Sequence, residues 1–390
     1  MSLRLSGPRA WSIALLAALS LAAAACTGED RPTVDVIQGT PGAAGGTGSV
    51  SVSASGADAA GPQPTQVPGS VYNVVSNVDS YFAIGLDLRD LRALISPAAE
   101  GRRVDWAAVQ DLYEKGKNQQ TSSGLRPLAT FANDAAVLAM FPNGAIVFGR
   151  RNFLDGLMKD AINGTGRSSG VSENGRRNLA DKAALMIVYG KALQELDAAW
   201  TRITQNNLDN NTGAPHAVDE AWGAVAGGLD GSGLRSYSVL GFATAREINF
   251  NLAGKIRNPL EASFTNALKA AQAGNIAAFD QAHAQIKGYM NSIFYLGALR
   301  YTKTVELQTG TAAREGGLAE GWAYWQAIRP IVAGASSSAA STVESALTRQ
   351  PSQEFPASLT TQVYAALNEP AVVTALGIPA DLQVKTPPAQ

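Results

Sequence analysis

Histidine and cysteine are nearly missing from this chain, with two of the first and one of the second in 390 residues. No disulfide can form within it, and paired CxxC zinc sites and the HExxH metalloprotease helix are both absent. The phosphate-cradling GxxxxGK[ST] loop and the GxSxG nucleophile elbow are missing as well. A Ser-His-Asp triad would have to draw on His216 or His283 and finds no other support. These gaps point away from an enzyme. An excess of charge is lacking too: 31 Lys and Arg against 32 Asp and Glu give a formal net charge of -1. Without a basic stripe there is no electrostatic case for nucleic acid as a partner.

A basic start (Arg4, Arg9) runs into an apolar stretch from Trp11 to Ala25, then into Ala23-Ala24-Ala25-Cys26. That is the plan of a secretory signal over residues 1–25 with a lipobox-like end, and it makes Cys26 the expected lipidation site. The run is shorter than the roughly 20 residues a spanning helix needs, so a cleaved signal fits better than a retained anchor. The membrane is then a partner through a lipid on Cys26. Thr27 is not the Asp that favours inner-membrane retention, which favours the outer membrane in a Gram-negative cell. Residues 26–70 are rich in Gly, Ala, Ser, Thr and Pro with almost no large apolar side chains, the composition of a flexible tether. Its reach is roughly 35 to 40 Å. A globular composition begins near Val71, and residues 71–380 form the expected folded domain, with 381–390 as a disordered tail.

Apolar residues at three- and four-residue spacing mark helices over Val104–Lys115, Arg177–Ile203, Leu260–Ala273, Ile276–Glu306, Leu318–Ala333 and Ser338–Leu347. Asn and Asp-Gly clusters such as NNLDNNTGAP and GGLDGSG separate them. Ala-rich stretches such as AALMIVYGKALQELDAAW permit close helix approach. The expected fold is all-α, a bundle of roughly ten helices. The stretch VLAMFPNGAIVFG, with Pro142-Asn143-Gly144 at its centre, is a candidate hairpin over about 136–149.

Within GAPHAVDEAW (213–222), Pro215 suits a first helical turn. A helix from about Ala214 places His216 and Glu220 four apart on one face, with Asp219 beside them. An imidazole and a carboxylate one turn apart can grip a transition metal. Taken alone, the spacing is common by chance and is more simply a helix-start histidine with exposed acids. The pattern returns in LAEGWAYW, where Glu320 precedes Trp322 by two residues as Glu220 precedes Trp222. Two helices thus carry one carboxylate each in a similar setting, either as halves of one site or as surface acids beside core tryptophans. Glu195 lies between Leu193, Leu196 and Trp200, and a buried acid there needs a counter-charge or a metal. Arg300 and Tyr301 add a polar group nearby, and Arg300 could pair with a carboxylate without any metal. His283 reads as structural.

GAPHAVDEAWGAVAGGL, ALRYTKTVE and AEGWAYW, with the early VDWAAVQDLYEKGKNQQ, resemble the low-iron-inducible periplasmic or Fe-assimilating proteins of green algae and bacteria. The resemblance implies a secreted, helical, iron-associated protein, with iron as the bound metal and an iron transporter as a partner. Carried onto this chain, its motif positions are His216, Asp219, Glu220, Trp222, Glu320, Trp322 and Glu195. The expected ligands are Glu195, His216, Glu220 and Glu320, with Asp219, Trp222, Arg300, Tyr301 and Trp322 around them; hard oxygens with one imidazole suit iron. The alternative is a metal-free binding module that uses the Glu-x-Trp helices for a siderophore, sugar or peptide.

Overall fold

A computed structural model describes residues 70–387, apart from 142–143 and 229–236. The expected signal, Cys26 and all but the last residue of the expected tether lie outside the described residues. The helices are, in order, α1 (Asp79–Phe82), α2 (Ile84–Ile95), α3 (Trp106–Lys115), α4 (Leu128–Ala132), α5 (Ala135–Ala139), α6 (Gly144–Phe148), α7 (Phe153–Asn163) and α8 (Glu173–Thr204). They continue as α9 (Ala214–Ala226), α10 (Val239–Phe250), α11 (Arg257–Gln272), α12 (Ile276–Leu307), α13 (Thr311–Ala335), α14 (Ser337–Leu347), α15 (Ala357–Leu367) and α16 (Pro370–Leu376). The fold is all-α. The number of helices exceeds the expected ten because the chain also uses single-turn pieces too short to show a period of 3.6.

The stretch expected to form a hairpin is instead two short helices, α5 and α6, on either side of the undescribed Pro142 and Asn143. Asp134 starts α5 by accepting a hydrogen bond from the Ala136 amide at 2.8 Å, a helix N-cap that overrides the two apolar runs. The one ladder among the described residues pairs β1 (Gln120–Thr121) with β2 (Gly124–Leu125), antiparallel with Gln120 opposite Leu125. At the other end, the expected tail begins too early. Leu382 is fully buried, and the Val384 amide donates to the Tyr295 hydroxyl at 3.2 Å.

Helix α8 is the axis of the bundle. Its Ser172 N-cap accepts from the Gly175 amide at 3.2 Å, and nearly every side chain from Arg177 to Glu195 is buried. A helix buried on all sides must be covered all round, and α7, α9, α12 and α13 pack on it. Helix α12, capped by Asn275, runs its own buried stretch from Met290 to Leu299 against α13 and α11. Close approach there depends on Gly297, where an added Cβ would stand 2.3 Å from the Tyr324 ring. That ring cannot slide away, because Tyr301 stacks on it at 5.9 Å and 7°.

Residues 70–78 form no helix, yet they are fastened to α9 by one carboxylate. Asp219 accepts from the Tyr72 hydroxyl at 2.6 Å, the Val75 and Ser76 amides at 2.8 Å each, and the Ser76 hydroxyl at 2.7 Å. Tyr72 is thereby set against Trp222 at 4.9 Å and edge-on to Phe264 at 6.3 Å. The next helix, α1, then lies on α9, where Gly223 makes room for Tyr81.

Asp219→Ala is expected to cost about 3 kcal/mol or more, because it strands buried donors. A urea-unfolding midpoint equal to that of the parent protein would contradict this. Gly297→Ala is expected to cost about 1 to 3 kcal/mol by overpacking, read from the same transition, with Tyr324→Leu in the double mutant recovering part of the loss.

Candidate functional site

Three of the four expected ligands lie in one neighbourhood. His216 sits in the first turn of α9, which begins at Ala214 with Pro215 in its opening turn. Its ring faces Glu220 one turn on, with Nε2 3.4 Å from Oε1. Glu195, on α8, lies beside them and accepts from the Tyr81 hydroxyl at 2.7 Å. Its other partner is the Lys191 ammonium, one turn back on α8. The site is thus built where α1, α8 and α9 meet, with Glu195 and Lys191 almost enclosed and the tips of His216 and Glu220 slightly more open, at 11% and 14% side-chain exposure.

The hydrogen-bond pattern fixes the histidine tautomer. Ser76 has a single hydroxyl proton, and Asp219 is its acceptor. His216 Nδ1, 2.9 Å from the same oxygen, must therefore donate to it. Nδ1 carries a proton, and Nε2 is the nitrogen aimed at Glu220. This is the geometry in which a polar partner orients an imidazole so that its far nitrogen can take a cation.

Charge is finely balanced. Burial drives the Glu195 carboxyl above its usual range, and the neighbouring Glu220 charge adds to this, against the pull of Lys191 and Tyr81. Burial would raise Glu220 too, but the hydrogen bond and charge of His216, with Lys191 and Arg202, bring it below the ordinary value. For His216, burial works against the imidazolium, yet Glu220 and then Asp219 hold its pKa above the free-histidine value. The Tyr81 phenol is pushed far up by burial and by the charges of Glu195 and Glu220. The Lys191 ammonium acts on both Glu195 and Glu220 and is the resident cation of the cluster. As placed, no three His, Cys, Asp or Glu side chains among the described residues stand close enough to hold one metal ion.

Glu320 is not part of this group. It is fully buried on α13 and lies 3.5 Å from the ammonium of Lys182, which also pairs with Asp181 at 2.6 Å. Lys182 and Lys191 are nine residues apart on α8, roughly 13 Å of helix rise. Helices α9 and α13 both pack on α8, but their Glu-x-Trp motifs meet it at different levels. Asp219 holds the 70–78 segment, and its carboxyl is raised by burial. Trp222 is core. Trp322 donates to Glu344 Oε1 at 3.2 Å, while Tyr301 stacks on Tyr324 with the Arg300 guanidinium 5.6 Å from its ring. His283 lies 3.8 Å from Asp197, away from the cluster.

Sequence reasoning missed Ser76, Tyr81, Lys191 and Arg202. Lys191 was visible in principle as a Lys-x-x-x-Glu pair with Glu195 on one helix face. Ser76 and Tyr81 reach their partners across 140 and 114 residues, and no local pattern carries that information.

No helix among the described residues is long and apolar enough to cross a membrane. No curated protein matches the chain, and neither does any solved structure. A family model described as "low iron-inducible periplasmic protein" matches residues 46–315. That span holds α1 to α12 and the whole His216, Glu220 and Glu195 cluster, and it stops short of Glu320 and Trp322. Covering more than half of the chain, the match shows that this protein belongs to the low iron-inducible periplasmic protein family.

Proposed function

We propose that this protein binds iron as cargo outside the cytoplasmic membrane, as a lipid-anchored, non-enzymatic participant in iron assimilation. Cys26 carries the anchor, and an iron transporter is the partner that takes the ion onward. One observation supports the iron reading most: Ser76 holds the His216 ring so that Nε2 faces Glu220, inside a cluster that already stabilises a cation at Lys191. Imidazole nitrogen and carboxylate oxygen are suitable donors for iron. In this reading the ion displaces the His216 proton, and Glu195 joins the donor set once Lys191 swings off it. Glu320, committed to Lys182, has no part.

Binding must then be pH-dependent. The proton on His216 is held more tightly than on a free imidazole, so it competes with the metal over the whole range below its raised pKa. The linkage for folding runs separately. The raised His216 pKa adds stability below the free-histidine value that is lost as pH rises through the folded value. The lowered Glu220 pKa adds stability above the free-carboxylate value that is lost on acidification. The pair is therefore most stabilising between the carboxylate and histidine ranges.

Equilibrium dialysis of metal-stripped protein against ferrous iron under anaerobic conditions tests the site. Affinity is expected to rise between about pH 6 and about pH 8. His216→Ala and Glu220→Gln should each weaken binding by about tenfold or more, and Lys191→Met should strengthen it. Glu320→Gln should leave binding unchanged. Wild-type protein that takes up no iron, or equal affinity in His216→Ala and Glu220→Gln, would remove the proposal.

A further inference from the structure

A cleft of about 280 Å³ opens beside Leu179, in the N-terminal part of α8 and twelve residues before Lys191. Its walls are the short turn after α7, the α13 face carrying Leu318 and Trp322, and the chain just after α14. Two arginines line it. Arg167 lies over the Trp322 ring, with its guanidinium carbon 4.5 Å from the centroid, and makes no hydrogen bond among the described residues. Arg349, which also lines the cleft, likewise makes no side-chain hydrogen bond among the described residues. Guanidinium groups that line a cleft without protein acceptors are free to take an anionic ligand.

The nearby acids make their hydrogen bonds elsewhere, and only the Glu344 charge reaches Arg167. Glu344 is taken up by Trp322 Nε1 at 3.2 Å, Trp325 Nε1 at 2.7 Å, Gln326 Nε2 at 2.9 Å and Arg329 at 3.2 Å. Glu315, on the cleft wall, accepts from the Ser172 amide at 2.7 Å. The same hydrogen bonding locks the Trp322 ring in place as a rigid wall. Beside it Leu318 and Leu347 supply an apolar floor. The cleft therefore offers two guanidinium groups to one end of a ligand and an apolar surface to the other.

We propose that this cleft binds a small organic carboxylate with an apolar body, its carboxylate held by Arg349 and Arg167 and its body lying against Trp322 and Leu318. Guanidinium forks match carboxylate geometry, and the volume fits a compact molecule about the size of a single ring. The site is separate from the iron cluster and does not rest on it.

Isothermal titration of the metal-stripped protein with benzoate tests the proposal, with citrate and inorganic phosphate as comparison ligands. Benzoate is expected to bind, with citrate weaker because it lacks an apolar body, and phosphate failing to compete at equal concentration. Arg349→Gln should weaken benzoate by about tenfold or more, and Arg349→Lys, which keeps the charge without the fork, should fall between the two. Thermal unfolding of both variants should match the parent protein, because Arg349 stands on a partly exposed turn. No benzoate heat at millimolar concentration, equal affinity in Arg349→Gln, tighter binding of citrate, or displacement by equal phosphate would each overturn it. Because iron is absent throughout, failure here leaves the iron reading standing, and failure of iron binding leaves this one standing.

Discussion

The carboxylate of Asp219 is the constraint on which the site depends. Four donors from a segment with no secondary structure of its own end on its two oxygens. Hydrogen bonds to a charged acceptor are stronger than neutral ones, and buried donors without it would be costly. Once Asp219 holds Ser76, the serine proton is committed, the His216 tautomer follows, and Nε2 is left facing Glu220. Once it holds Tyr72, the chain is directed into α1, and Tyr81 arrives at Glu195. A residue that reads in sequence as a neighbour of the ligands thus acts as the post to which their surroundings are tied.

Buried charge is the second theme. Helix α8 carries Asp181, Lys182, Lys191 and Glu195 through the centre of the bundle, an environment in which isolated ions are strongly disfavoured. Each finds an opposite partner: Lys182 pairs with Asp181 and Glu320, and Lys191 with Glu195. The two levels differ in what surrounds them. Around Lys182 the partners are acids in the core, with the Phe242 and Tyr324 rings over the ammonium. Around Lys191 there are also a histidine and a slightly open edge, and this is the set of groups with chemistry to offer.

Much of this was legible in the residues. The period of 3.6 located the long helices, and Pro215 marked the start of α9 where it begins. The four-residue step from His216 to Glu220 placed both on one face, and the apolar neighbours of Glu195 signalled a buried acid. The pairing of Glu320 with Lys182 was not legible, because an acid in an Ala-, Gly- and Trp-rich helix looks the same whether it faces a metal or an ammonium. Nor could the sequence separate a hairpin from two one-turn helices around Pro142, since apolar runs of four or five residues suit either and Asp134 decided it. Ser76 and Tyr81 belong to contacts closed by tertiary packing, which leave no periodic trace.

The irregular stretch from Ser70 to Val78 separates two boundaries that are easily taken as one. By secondary structure the described fold begins at Asp79; by chemistry it begins seven residues earlier, at Tyr72, the first described side chain that answers to α9. A chain trimmed to α1 would keep every described helix and every candidate ligand. It would also lose the hydroxyl that tells the imidazole which nitrogen to present. The working edge of this protein is therefore a piece of coil, placed where the folded body meets whatever precedes it.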